Sequence, residues 1–261
     1  MLNMKQVTNK IAIKKGKGTP ILPNVQYDEH ITLLLFISAA GNWTKPLAIF
    51  PLETEPHLSE EVKDYFKITG QENGWIDGRI FKNSVENGFV EDMIKLRGDA
   101  DKDEVVLLLT DGHASRGSLD AKKLWDEFKI MILILPPHSS ALIQPLDLSV
   151  NGEFKGAFSN RLSLSNCNNK AEKRQKVMET ALRCLTRVNN MDTIKNGWER
   201  TGLMPININA VLTSNMVKDE TYFKKDNEPK QKRRRGQKIT GGRIMYDGKA
   251  HELGLQQEIQ K

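Results

Sequence analysis

Two aspartates in this chain sit where chemistry could be done. Asp111 ends an apolar run, Val105-Val106-Leu107-Leu108-Leu109-Thr110, and opens the word Asp111-Gly112-His113. Asp147 closes Gln144-Pro145-Leu146-Asp147, and thirty-five residues lie between the two. Carboxylates held side by side at strand ends can bind a hard divalent cation, which wants oxygen ligands. A centre of that kind calls for a third carboxylate. Ahead of Ile31 the chain offers only Asp28-Glu29, which touches the start of an apolar strand and reads as a turn. Taken singly, an Asp before Gly is a turn former and an Asp after Pro-Leu is a helix N-cap. His113 and His138 read as polar loop residues. The two aspartates gain meaning only from their joint spacing.

The elements that must position them follow from hydrophobic pattern. Residues 105–110 form a β-branched and leucine run bounded by Asp-Gly, the pattern of a fully buried strand. Residues 130–135, Ile-Met-Ile-Leu-Ile-Leu, form a second, ended by Pro136-Pro137. Between them residues 118–128 read as a helix with Ser118 as its cap. Strand, helix and strand make a crossover unit with both strands parallel in one sheet. Ligand sites in such sheets lie beyond the carboxyl ends of the strands, where Asp111 stands. From Asp147, the residues Val150, Phe154 and Phe158 recur at helical spacing. That spacing predicts one helix whose first turn points Asp147 toward the sheet.

Three blocks carry a resemblance. They are Thr-Asp-Gly-His-Ala-Ser (110–115), Leu-Pro-Pro-His-Ser-Ser-Ala-Leu-Ile-Gln-Pro-Leu-Asp (135–147) and Ile-Lys-Asn-Gly-Trp-Glu-Arg-Thr-Gly-Leu-Met-Pro-Ile-Asn (194–207). Together they resemble the DDE superfamily endonuclease domain of pogo/Tigger-type transposases, with jerky-like and centromere protein B-like relatives. Residues 31–51 are similar to that family's early hairpin, so the likeness runs over about residues 5–210. It implies an α/β, ribonuclease H-like fold: a mixed sheet flanked by helices, with a helical C-terminal part. It also implies metal-dependent cutting and joining of DNA. Asp111 then matches the second catalytic acid and Asp147 the third, both as ligands of Mg²⁺ or Mn²⁺. Two such ions about 3.5–4 Å apart would activate a hydroxyl and stabilise the leaving oxygen.

The chain departs from the family in three places. Arg116 stands where a second His usually follows the Asp-Gly-His word, and Ala141 follows Ser140 where a His is common. The first acid and its central strand are expected upstream of Met1, so the domain reads as truncated at its N-terminus.

Charge organises the rest. The net charge is +6. Between residues 217 and 245, ten Lys or Arg stand against four acids, so this segment equals the whole excess. Its centre is Lys230, Lys232, Arg233, Arg234, Arg235 and Lys238, broken by glycines and without periodicity. Residues 211–261 therefore read as a disordered basic tail that enters the nucleus or contacts phosphate, or else is merely solvated. Cys167 and Cys184 suggest neither a disulfide framework nor a zinc site. No apolar run approaches membrane-spanning length and no secretory leader opens at Met1. The resemblance implies DNA as the partner, with no membrane, no small-molecule substrate and a possible homo-oligomer.

Helical patterns run over 58–66, 84–97, 171–188 and 191–200, with Trp198 as core packing. Two classes of function remain: a metal-dependent transposase or endonuclease domain, and a non-catalytic nuclear DNA- or chromatin-binding relative that kept the fold and lost the chemistry.

Overall fold

A computed structural model describes residues 29–97 and 104–213, with the backbone of Leu2–Asn3 and Arg243–Ile244. The hairpin expected over 31–51 forms as β2, Thr32–Leu34, and β3, Leu47–Phe50, antiparallel with Leu33 opposite Ala48. Its side chains alternate between two cores. Leu33, Leu35, Ala48 and Phe50 face one, while Leu34 and Ile49 face the other. Burial on both sides explains why the sequence is apolar almost without interruption there. A strand that the sequence did not announce, β4 at Lys67–Gly70, lies parallel to β3 after helix α1, Glu60–Tyr65. On the other edge, Leu2–Asn3 (β1) pairs antiparallel with β2, Leu2 opposite Leu33. The sequence pattern marks no strand ahead of Ile31; β1 is one, and neither Leu2 nor Asn3 is acidic.

The crossover unit holds, with corrections. Strand β5, Val106–Thr110, is parallel to β6, Ile130–Ile134, in a register that sets Thr110 beside Ile134. Helix α4 is shorter than expected, Ala121–Phe128, and its cap is Asp120, whose Oδ1 accepts the Lys123 N–H at 3.0 Å. Residues Ala114–Ser118 take a 3-10 turn instead. There the Ser118 hydroxyl lies 2.7 Å from the carbonyls of Gly78 and of Ser115, so it staples the turn and caps nothing. The expectation of a fully buried β5 is also corrected: Leu107 is 50% exposed and Leu108 only 7%. One face packs on the second core and the other borders a cavity.

The sequence predicts a single mixed sheet; the described residues form two: β1-β2-β3-β4, and β5-β6 with Arg243–Ile244 (β7) antiparallel on β6. Among the described residues the strand beside β2 opposite β3 is β1, two residues long and paired with β2. Strand β7 falls in the segment read as disordered tail; residues 214–242 and 245–261 lie outside the described residues.

The region 58–97 divides further. Asp77 caps helix α2, Gly78–Ser84, by accepting the Ile80 N–H at 2.7 Å. A π-helical turn, Val85–Phe89, then leads into α3, Val90–Arg97. After β6 come two short helical turns, α5 (Ser140–Ile143) and α6 (Pro145–Leu148). Three helices complete the first core: α7 (Val150–Arg161), α8 (Lys170–Val188) and α9 (Met191–Thr201). Asn169 caps α8 by accepting the Glu172 N–H at 2.9 Å, and Glu172 answers by accepting the Asn168 N–H at 2.7 Å. Gly202, at φ +67, closes α9 in the left-handed conformation, after which α10 (Ile208–Leu212) follows.

Candidate functional site

Asp111 stands one residue past β5, at the end of the sheet where Leu135 N–H donates to the Thr110 carbonyl at 2.8 Å. The Asp-Gly turn presents its carboxylate back to its own loop. Oδ1 accepts the His113 N–H at 3.3 Å and the Arg116 Nε–H at 2.8 Å. Arg116 is only 4% exposed, an unusual place for a charged side chain. Its guanidinium carbon lies 4.0 Å from the centre of the Phe81 ring, and its Nη1 donates to Ser115 Oγ at 2.9 Å. Burial pulls the guanidinium's pKa down, and the Asp111 carboxylate pulls it back up.

His113 belongs to the same network. Its Nδ1 accepts the Ser115 N–H at 3.2 Å and lies 2.8 Å from the Ser115 hydroxyl. Although the residue is exposed at the surface, the ring's inner edge is desolvated, which lowers its pKa. The Arg116 charge lowers it further, and Asp111 partly opposes both.

Asp147 lies on α6, and here the sequence reading needs correcting. It is not on the first turn of the long helix. Ser149, at φ −137 and ψ −95, breaks the chain between α6 and α7. The apolar stripe of α7 is as expected, with Val150, Phe154 and Phe158 buried. The link between Asp147 and that helix is a hydrogen bond from Asn151 Nδ2 to Asp147 Oδ1 at 2.6 Å. The orientation of α6 is set from α9, at a residue not singled out in the sequence. A Cβ on Gly197 would fall 2.3 Å from Ser149 Oγ and 2.7 Å from the Pro145 carbonyl. Arg200 Nη1 also donates to the Leu148 carbonyl. The signal was available: a glycine inside a helical pattern costs about 1 kcal/mol in propensity and so invites a packing reason.

The residues just before the two aspartates come together. Thr110 and Leu146 line one cavity of about 540 Å³, with Phe36, Leu107, Gln144 and Trp198 also on its wall. Trp198 packs against the first core, as read. The Asp28-Glu29 pair is different. Asp28 lies outside the described residues, and Glu29 is clamped by Arg174, Nε to Oε2 at 2.7 Å and Nη2 to Oε1 at 2.6 Å, with Lys170 at 3.9 Å. The basic cluster 230–238 lies outside the described residues.

Residues 28–211 match the family described as DDE superfamily endonuclease, and the chain belongs to that family. Among curated proteins it is 32% identical over 170 residues to one named MFS-type transporter clz9, from Cochliobolus lunatus. That similarity spans 63% of this chain and 18% of that protein. No helix among the described residues is long and apolar enough to cross a membrane. No solved structure matches.

Among the described residues, the carboxylates that the family's divalent cations would need are engaged elsewhere, so these residues do not fit the ions. Asp111 is already paired with a buried cation, Asp147 is tied to an amide, and Glu29 is committed to Arg174 and Lys170. Among the described residues no three His, Cys, Asp or Glu stand close enough to hold a metal ion.

Proposed function

We propose that this chain is a transposase-derived DDE endonuclease domain of the pogo/Tigger kind that acts on DNA, and that it does not itself cut DNA. Metal-dependent strand cleavage and joining belong, in this reading, to family members with three free acids. The observation that carries the proposal is the pairing of β5 with β6. It sets Asp111 at a strand's carboxyl end, beside the loop that leads to Asp147, within a chain of the endonuclease family. Asp111 and Asp147 are the positions proposed for the second and third acid. The fold is proposed as ribonuclease H-like, with β1 in the place beside β2 where a longer acid-bearing strand would run.

One observation favours the second reading, a non-catalytic nuclear DNA- or chromatin-binding protein: the Arg116–Asp111 ion pair, which commits the carboxylate best placed for chemistry. The basic cluster from Lys230 to Lys238 would supply nuclear entry and phosphate contacts. Self-association belongs to the proposal and is read by sedimentation.

The test uses the full chain on a labelled duplex, measuring binding by anisotropy and nicking on a denaturing gel with Mg²⁺ or Mn²⁺. Binding without nicking is expected. Nicking that disappears in Asp111→Asn would show an active enzyme, and no binding at low salt would remove DNA as the partner.

A further inference from the structure

Resting on the reading of Asp111 as a family acid, we infer that Arg116 is a resident cation that occupies Asp111, so that the protein engages DNA without any divalent metal at this carboxylate. Three observations converge. The guanidinium is buried, and it makes three separate attachments: to the carboxylate at 2.8 Å, to the Ser115 hydroxyl at 2.9 Å and to the face of Phe81 at 4.0 Å. Arginine stays charged in proteins. A buried charge needs a counter-charge, and Asp111 is the one carboxylate with which an Arg116 ion pair is seen among the described residues.

The arrangement is self-locking. Magnesium sits about 2.0–2.1 Å from its ligand oxygen and demands octahedral geometry. On Oδ1 it would have to displace the Nε–H, which leaves Arg116 buried beside a dication without a counter-charge. On Oδ2 it would still stand within a few ångström of the guanidinium, across a desolvated boundary where like charges repel more strongly than in water. The guanidinium cannot swing out of the way without leaving Phe81 and Ser115. The loop is shaped for the pair: the 3-10 turn Ala114–Ser118 brings residue 116 back over residue 111, and the Ser118 hydroxyl fixes that turn to Gly78.

The inference separates two properties that run together in a cutting enzyme, binding of the polyanion and binding of the metal. The experiment uses the full chain, Mn²⁺ alone as probe and free Mn²⁺ read by its electron paramagnetic resonance signal. The unaltered chain is expected to show no Mn²⁺ binding that Asp111→Asn removes, at any concentration up to about a millimolar. Asp111→Asn should also lower the thermal midpoint, because Arg116 then lies buried without its counter-charge. Arg116→Gln, which keeps a polar side chain and loses the cation, should raise Mn²⁺ affinity at least tenfold in an Asp111-dependent way. Should Arg116→Gln fail to fold, the Asp111→Asn comparison decides alone.

Saturable Mn²⁺ binding by the unaltered chain that Asp111→Asn abolishes would overturn the inference, as would an unchanged midpoint in that variant. Duplex binding measured in EDTA is a separate arm. Its failure removes the DNA reading, while the metal titration still decides what holds Asp111.

Discussion

Glu29 and Arg174, 145 positions apart, form a two-point ion pair at 2.7 and 2.6 Å that ties the entry of the β2–β3 hairpin to α8. The planar fork of arginine matches a carboxylate, and the bonds are charge-assisted. The pair joins the residue just ahead of β2 to α8, and both elements contribute apolar residues to the first core. Arg174→Ala should destabilise the domain by roughly 2–3 kcal/mol, somewhat below a fully buried pair because 17% and 12% of the two side chains stay exposed. Arg174→Lys should recover only part of this. Urea midpoints of the three proteins check it, and a loss smaller than about 0.5 kcal/mol, typical of surface pairs, would mean the clamp is ornamental.

A second prediction concerns Gly197. Alanine is the better helix former by about 1 kcal/mol in an exposed helix. Here its Cβ would meet the Pro145 carbonyl and Ser149 at distances no real Cβ tolerates. Either α6 or α9 must shift, and overpacking of this kind costs about 1–3 kcal/mol. Gly197→Ala is therefore expected to lower stability despite its better propensity. Thermal melts decide the sign; a more stable variant would show that α6 moves away at no cost.

Much of the architecture could be read because burial leaves periodic marks. The alternation of Leu33, Leu34, Ala48 and Ile49 between two cores, and the stripe Val150-Phe154-Phe158, are direct prints of which faces are covered. The failures have physical reasons too. Leu107 is as apolar as Leu108 yet half-exposed, since composition alone does not say which face of an edge strand is left open. The break at Ser149 is invisible because serine fits a helix as well as a kink. Arg116 escaped because charged residues are presumed to face water, and only three-dimensional proximity reveals Phe81 and Asp111 around it. Asp111 and Asp147 could be picked out as candidates; the ties that hold them could not.

A third prediction follows from His113. Its folded-state pKa lies below the ordinary value of 6.5, through desolvation first and the Arg116 charge second. The unfolded chain therefore binds the proton more readily just below that value. Stability tied to the neutral ring is present above pH 6.5 and is lost as pH falls through the folded pKa. Protonation also removes the Nδ1 acceptor for the Ser115 N–H. His113→Asn keeps an acceptor for that N–H but cannot titrate. Thermal midpoints at pH 5, 6 and 7 should fall with acid less steeply in the variant. The effect should be small, since the ring is partly solvated, and identical slopes would assign the acid sensitivity to other groups.

The last prediction concerns the basic cluster Lys230, Lys232, Arg233, Arg234, Arg235 and Lys238. Its charge density suits sequence-independent contact with phosphate, where affinity comes from counterion release. If about four to six of these charges meet phosphates, log K should fall against log salt with a slope of roughly −4 to −5. Changing Arg233, Arg234 and Arg235 together to Ala should make that slope shallower by about 3, without altering which duplex is preferred, because phosphate contacts carry no base information. The unfolding free energy from urea titration should stay within about 0.5 kcal/mol of the parent, since the cluster lies outside the 28–211 family match. Nuclear distribution of a fluorescent fusion should weaken in the same variant. If neither the salt slope nor the distribution moves, the cluster is only a solvated run of charge, and contact with DNA must be sought on the folded domain.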